Sequence, residues 1–255
     1  MRKVAIVGYS PSSREDAPFD DPTFEKWGMN NLHSELPGKR WDRWFDMHKL
    51  DYIHVNNGSL QTDHIAWLKK LEIPIYMLAE HDEFQMSVRY PIEEIQARMR
   101  NEWGFEPGEE DYFHSGVAYQ IALALHEGID EIHIYGVDMV KDAEWSYQRP
   151  NLEGWLCLAR QQPALSGGKV RVVVAKNCAL LKGLGLYGYQ DKEYALPIKF
   201  ERAFFTQKNE LTKQKNEAWE ELQAAQRKYN TIDGYVQNSA YWLGRVSDIK
   251  RGAEP

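Results

Sequence analysis

"SGVAYQIALALHEGIDEIHIYGVDM", residues 115–139, is the stretch whose reading decides the fold. A serine opens it as a helix N-cap does, and Gly128 closes the apolar run as a C-terminal glycine does. Between them Val117, Ile121, Ala124 and Leu125 fall on one stripe at helical spacing. "IHIYGVDM" then reads as a strand, with Gly136 and Asp138 at its carboxyl end. A helix, a tight turn and an apolar strand in that order make one unit of a parallel sheet.

The pattern repeats outward from this unit. Val4–Val7 is a short, wholly apolar run that predicts a strand buried on both faces. "RWFDMH", "IPIYML" and "KVRVVVA" read as further strands. "TDHIAWLKKL" has helical spacing, with Ile65, Leu68 and Leu71 on one side. "PIEEIQARMRNEW" places Pro91 at a helix start, acids in the first turn and arginines near the end, which suits the helix dipole. "NLEGWLCLARQQ" is again helical. The alternation predicts an α/β fold: a Rossmann-like, mostly parallel sheet with flanking helices over residues 1–194.

Residues 195–255 differ in character and predict a helical extension. Phe204, Leu211, Ala218, Leu222, Ala225, Tyr229 and Ile232 recur at intervals of seven, seven, four, three, four and three, on a background of Lys, Glu and Gln. That is a coiled-coil-like seam on a long amphipathic helix. It would pack either on its own domain or on another subunit, and a homo-oligomer through this helix is the expectation carried forward.

Composition narrows the function. With 255 residues, 43% hydrophobic and 27% charged, the chain has ample core for a globular protein. A formal charge of −7 argues against gripping nucleic acid by net positive field, while leaving room for a local basic patch. The two cysteines, Cys157 and Cys178, match no metal-ligand spacing, and no run of 18 apolar residues occurs. The expectation is a cytoplasmic protein with no membrane span. The eight histidines form no H-E-x-x-H or related motif, so no metal is assigned.

Three groups of residues carry candidate chemistry. The first is the turn after the opening strand, Gly8, Tyr9, Ser10, Pro11 and Ser12, which would let the backbone approach an anion and add hydroxyl donors. The second pairs Ser115 and Gly116, at a helix start, with Gly136 and Asp138, at a strand end. In a parallel sheet these fall on the same carboxyl edge as the opening turn. The third is a scatter of side chains reaching that edge: His48 beside Asp46, and Tyr147 near Arg149 and Glu153. An imidazole there can accept a proton from an attacking hydroxyl, and a tyrosine can steady a leaving phosphate.

On "VAIVGYSPSS" (4–13), "MNNLH" (29–33) and "HSGVAYQIALALHEGIDEIHIYGVDM" (114–139), the chain resembles the bacterial lipooligosaccharide sialyltransferases. The wider set it resembles includes flagellin-modifying glycosyltransferases and archaeal pterin diphosphokinases. The resemblance spans residues 3–182. It implies a nucleotide-binding α/β fold and sugar transfer from a cytidine-monophosphate donor without an obligatory metal. Carried over residue by residue, it implies nucleotide contacts from Gly8, Ser10, Pro11 and Ser12, from Asn30 or Asn31, and from Ser115, Gly116, Gly136 and Asp138. Ser10 stands where the family has a second glycine. His48 and Tyr147 are assigned from their chemistry, not from the resemblance.

The leading expectation is a glycosyltransferase-like enzyme moving a sugar from a CMP- or UDP-type donor to a hydroxyl of an unidentified acceptor. His48 or Asp138 would serve as base, with no cofactor beyond the donor. One alternative is a Mg²⁺-dependent diphosphokinase acting on a pterin-like or other small metabolite, with Asp138 and Asp46 or Asp142 at the ion. Another is a non-catalytic nucleotide-fold assembly module.

Overall fold

The computed structural model describes residues 1–56, 59–140, 144–182 and 192–250; within these, the side chains of 56, 59, 144, 145, 192–207, 209 and 248–250 are not described. Asp142 lies outside the described residues. The chain divides into two compact units, residues 1–182 and 183–255.

In the first unit the apolar runs become strands and the 3.6-periodic segments become helices. In chain order these are β1 (Lys3–Val7), β2 (Phe24–Met29), α1 (Leu32–Glu35), β3 (Arg43–Asp46) and α2 (Leu50–His54). A small antiparallel pair, β4 (Val55–Asn56) and β5 (Ser59–Leu60), precedes α3 (Thr62–Leu68), β6 (Ile75–Met77), β7 (Ser87–Arg89) and α4 (Ile92–Asn101). Then come α5 (Gly116–His126), β8 (Glu131–Tyr135), α6 (Arg149–Ala159) and β9 (Arg171–Val174).

Seven strands pair in the order β7-β6-β3-β2-β1-β8-β9, and every pairing is parallel. The chain first winds outward from β1 through β2, β3, β6 and β7, then returns to place β8 on the other side of β1. The boundary between β1 and β8 is therefore the topological switch point, where loops leave the sheet in opposite directions and open a crevice.

Burial follows from the central position. Val4 through Val7 have no solvent exposure, as expected of a strand covered on both faces. Alternation splits two cores: Val4, Ile6, Trp27, Met29 and Phe45 face α4, α5 and α6. Val7, Trp44, Ile75 and Met77 pack with Leu32, Leu36, Ile53 and Leu68 on the other face. Gly28 is part of this packing, because a Cβ there would lie 2.1 Å from the Trp44 ring.

The α5 stripe expected at Val117, Ile121, Ala124 and Leu125 is wider than its spacing suggested. Val117, Ala118 and Gln120 through Leu125 are all buried, because the helix contacts the sheet as well as α4 and α6. In α3 the buried positions are His64 and Leu68, so a histidine occupies the inward face. At the amino ends of the strands, Arg43 bonds Glu127 and Glu25, and Arg2 reaches both carboxylates. That ionic cluster closes the edge opposite the crevice.

The second unit contains α7 (Lys192–Lys250), a helix of 59 residues. Along it Leu211, Leu222, Tyr229 and Ile232 are each more than half exposed, as are Tyr235, Val236 and Leu243. Phe204, first in the expected seam, has no described side chain. Among the described residues no helix is long and apolar enough to cross a membrane.

Candidate functional site

β1 and β8 run side by side, so their carboxyl-end turns meet. Gly8 N–H donates to Tyr135 O (2.9 Å) and Ser10 N–H to Gly136 O (2.7 Å). The contact leaves no room for side chains: a Cβ on Gly8 would sit 2.6 Å from Gly136 O, and one on Gly136 2.5 Å from Gly8 O. Gly136 also has φ of 62°, the left-handed region that glycine enters without strain. Gly136 N–H in turn donates to the buried Ser13 hydroxyl at 2.9 Å.

Asp138 ties a third segment to this junction. One carboxylate oxygen accepts a short hydrogen bond from the Ser10 hydroxyl, and the other accepts Ala179 N–H at 2.9 Å. Next to it Cys178 Sγ donates to Val137 O at 2.6 Å. Burial alone would raise the Asp138 pKa, but the bonds from Ser10 and the Ala179 N–H outweigh it, and the group stays below the usual carboxylate range. Asp138 is thus a latch joining the two turns to residues 178–179.

Around this junction opens a cavity of about 490 Å³, within the size range of small-molecule sites. Its wall includes Gly8, Tyr9, Ser10 and Pro11 from the first turn, Asn30 after β2, and His48 after β3. Ser115, Gly116 and Val117 enter at the start of α5, and Gly136 and Asp138 after β8. Asn30 and Met139, both on the wall, hold left-handed backbone (φ of 49° and 52°) despite their side chains. Such positions concentrate at functional clefts.

The donors available to an anion come chiefly from α5. Ser115 caps the helix, its hydroxyl accepting Ala118 N–H at 3.3 Å. The Gly116 and Val117 N–H groups have no hydrogen-bond partner among the described residues. They sit at the positive end of an 11-residue helix and at the cavity wall. In the opening turn, expected to let the backbone approach an anion, the Gly8 and Ser10 N–H groups are committed to Tyr135 O and Gly136 O.

A second cavity of about 220 Å³ adjoins the first, sharing Tyr9, Asn30 and His48 with it. Asn31, Asp46, Tyr52, Gln61 and His64 also line it. Asp46 is 2% exposed and bridges two imidazoles: Oδ1 lies 2.7 Å from His48 Nδ1 and Oδ2 lies 2.9 Å from His64 Nε2. Burial would raise its pKa, yet these two bonds hold it below the ordinary value. His64 Nδ1 lies 3.0 Å from His33 Nε2, and His33 stacks on Trp67 with ring centroids 4.2 Å apart. Burial, with a smaller contribution from His64, pushes the His33 pKa down to about 4. Burial raises that of Tyr9, so its phenol stays uncharged.

No protein-family model matches this chain, and no curated protein matches it. Several solved structures do. The sialyltransferase CstII from Campylobacter jejuni in complex with cytidine-5'-monophosphate is 16% identical, with a TM-score of 0.43 over 78% of this chain and 99% of that one. The same enzyme with CMP-3FNeuAc gives 16% identity and a TM-score of 0.46, over 71% and 86% of the two chains. A third structure, with a trisaccharide acceptor and CMP, gives 15% and 0.42, over 71% and 89%. Likeness at this level bears on neither the reaction nor its residues.

Most of the residues singled out in the sequence border one or both cavities. Gly8, Tyr9, Ser10, Pro11, Asn30, His48, Ser115, Gly116, Gly136 and Asp138 line the larger one, and Asn31 lines the smaller, with its amide 2.9 Å from Gln61 Oε1. Ser12 lies behind the wall, its hydroxyl 3.2 Å from that of Ser10. Tyr147 lines neither cavity. It is exposed on the π-helical turn Glu144–Gln148 and meets the edge of His114, a wall residue, at 5.6 Å. Sequence reasoning missed His64 and His33. The available signal was a histidine beside the apolar stripe of α3. Among the described residues no group of three or more His, Cys, Asp or Glu side chains converges as a metal site.

Proposed function

We propose that this chain is a glycosyltransferase-like enzyme that binds a CMP- or UDP-type nucleotide sugar in the larger cavity and passes the sugar to a hydroxyl acceptor. One observation carries the reading: the β1 and β8 turns, the free N–H groups of α5 and the imidazole of His48 border a single crevice at the topological switch point. The Gly116 and Val117 N–H groups would hold the phosphate and steady it as it leaves. His48, with Nδ1 committed to Asp46, would take the acceptor proton. Asp138 is a poorer base, since both its oxygens are occupied. The same commitments, with Asp46 bridging two histidines, favour metal-independent sugar transfer over Mg²⁺-dependent diphosphate transfer.

Calorimetric titration with CMP, UMP, CDP and UDP, with and without Mg²⁺, tests this reading. Binding of a pyrimidine nucleotide without added metal is expected. Failure of every nucleotide to bind overturns it, and strict dependence on Mg²⁺ moves the assignment to the diphosphokinase alternative.

The helix α7 would join copies of the chain in the cytoplasm. Its exposed residues Leu222, Tyr229, Val236 and Leu243 fall at one heptad position and Ala225, Ile232 and Val246 at the other, where Ser239 interrupts the seam. Sedimentation should show an oligomer that Ile232→Asp dissociates; a monomeric wild-type chain refutes this role.

A further inference from the structure

We infer that His33, His64 and Asp46 form a positioning chain that fixes the tautomer of His48, and that the smaller cavity is the acceptor subsite this chain serves. The inference builds on the sugar-transfer reading, adding the residues behind the base and the place of the acceptor.

The proton positions follow from the donors and acceptors available. An ionised Asp46 can only accept, so His48 must carry its proton on Nδ1 and His64 on Nε2. A neutral His64 protonated on Nε2 has a bare Nδ1. That nitrogen must accept, so His33 donates from Nε2. Each link dictates the next. The burial that lowers the His33 pKa to about 4 keeps that ring neutral near pH 7, so its Nδ1 is bare when Nε2 carries the proton. The chain ends at His48 Nε2, which has no hydrogen-bond partner among the described residues.

His48 is also the titratable side chain common to both cavity walls, apart from the uncharged Tyr9. A group bound in the larger cavity and one in the smaller would meet beside it. The smaller cavity, about 220 Å³, is below the size of drug-like sites and takes one small ring. Its wall is lined by the carboxamides of Asn31 and Gln61, which are bonded to each other, and by the phenols of Tyr9 and Tyr52. Among the described residues its wall holds the ionised Asp46 carboxylate and neither a lysine nor an arginine. It therefore suits an uncharged, hydroxyl-bearing ring and disfavours an anionic one.

In the step itself, an oxygen lone pair of the acceptor forms the new bond to the anomeric carbon of the donor. The bond from that carbon to the phosphate oxygen breaks, with its electron pair leaving on the phosphate. The hydroxyl proton passes to His48 Nε2. Asp46 holds the imidazolium without taking the proton, and solvent later removes it.

Long-range ¹H–¹⁵N correlation spectra of the full-length protein near pH 7, with no ligand added, read these tautomers directly. Single His→Gln variants assign the signals. Expected are Nδ1–H for His48 and Nε2–H for His64 and His33. In Asp46→Asn one carboxamide oxygen replaces two acceptors, so His48 or His64 must change tautomer. In His64→Gln the side-chain amide can still donate to Asp46, and His48 should stay as it is. A wild-type His48 protonated on Nε2, or an Asp46→Asn spectrum with both tautomers unchanged, overturns the chain. Because no nucleotide is present, this failure is separate from that of the sugar-transfer reading. For the subsite, titration with an uncharged methyl glycoside should shift His48 Nε2 more than titration with a sialic acid; equal shifts or the reverse overturn the acceptor assignment.

Discussion

The two adjoining cavities are built from different materials. The larger is made mostly of backbone: two glycine turns in contact, a helix start with free N–H groups, and two left-handed residues at the wall. The smaller is made of side chains: a buried carboxylate, imidazoles, carboxamides and phenols. A backbone site tolerates little change, because its shape is the path of the chain. A side-chain site can be edited without moving the chain, but its chemistry depends on every member being present.

The sharpest way to break this contrast is Gly136→Ala. The added Cβ would meet Gly8 O at 2.5 Å, in a left-handed backbone. Overpacking and conformational strain together should cost on the order of 3 kcal/mol, read as a lowered urea midpoint. A midpoint equal to wild type would mean that the two turns are not in contact.

Gly116→Ala should have a smaller effect of another kind. Here the Cβ meets only Met29 Sδ at an ordinary 3.6 Å, so the fold should hold to within about 0.5 kcal/mol. Nucleotide affinity should nonetheless fall about tenfold, roughly 1.4 kcal/mol, because the methyl group stands where the phosphate would approach the Gly116 N–H. Unchanged affinity would move the anion elsewhere.

The smallest effect belongs to the histidine behind the side-chain cavity. His33 titrates near 4 when folded and near 6.5 in its ordinary state, so below pH 6.5 the unfolded chain takes up a proton that the folded chain refuses. Stability contributed by the neutral ring is present above pH 6.5 and is lost as pH falls towards 4. The ring is only partly buried, so the slope should be shallow. His33→Gln should flatten it further, leaving the parts due to His133, whose pKa burial also lowers, and to the carboxylates held below their ordinary range, Asp46 and Asp138 among them. Urea midpoints between pH 7 and pH 4.5 check this; an unchanged slope would remove His33 from the account.

The same contrast explains what could be read from the sequence. β1, β3, β6, β8 and β9 announced themselves as apolar runs, and the larger cavity as glycines at the ends of two of them. β7 did not: Ser87–Arg89 is a three-residue edge strand, largely exposed, with no apolar run to mark it. α1 and α2 are too short for a periodic signal. The smaller cavity was half visible, because Asp46 and His48 are neighbours in sequence. His64 and His33 stand 18 and 13 residues from Asp46, and only the folding of α1 and α3 against β3 brings them together. Periodicity indicates which face of a helix turns inward, not which polar group meets another there. For the same reason the sequence suggested Asp138 as a base, and its latch role emerged only with Ala179 in place.

The stacking of His33 on Trp67 turns one end of the imidazole chain into an optical reporter. A cationic imidazole in contact with an indole quenches its emission far more than a neutral one. Acidification should therefore dim the contribution of Trp67, which a Trp67→Phe difference spectrum isolates from the other eight tryptophans. Light emission would then follow the charge of a partly buried ring in solution, without isotopes, crystals or a known substrate.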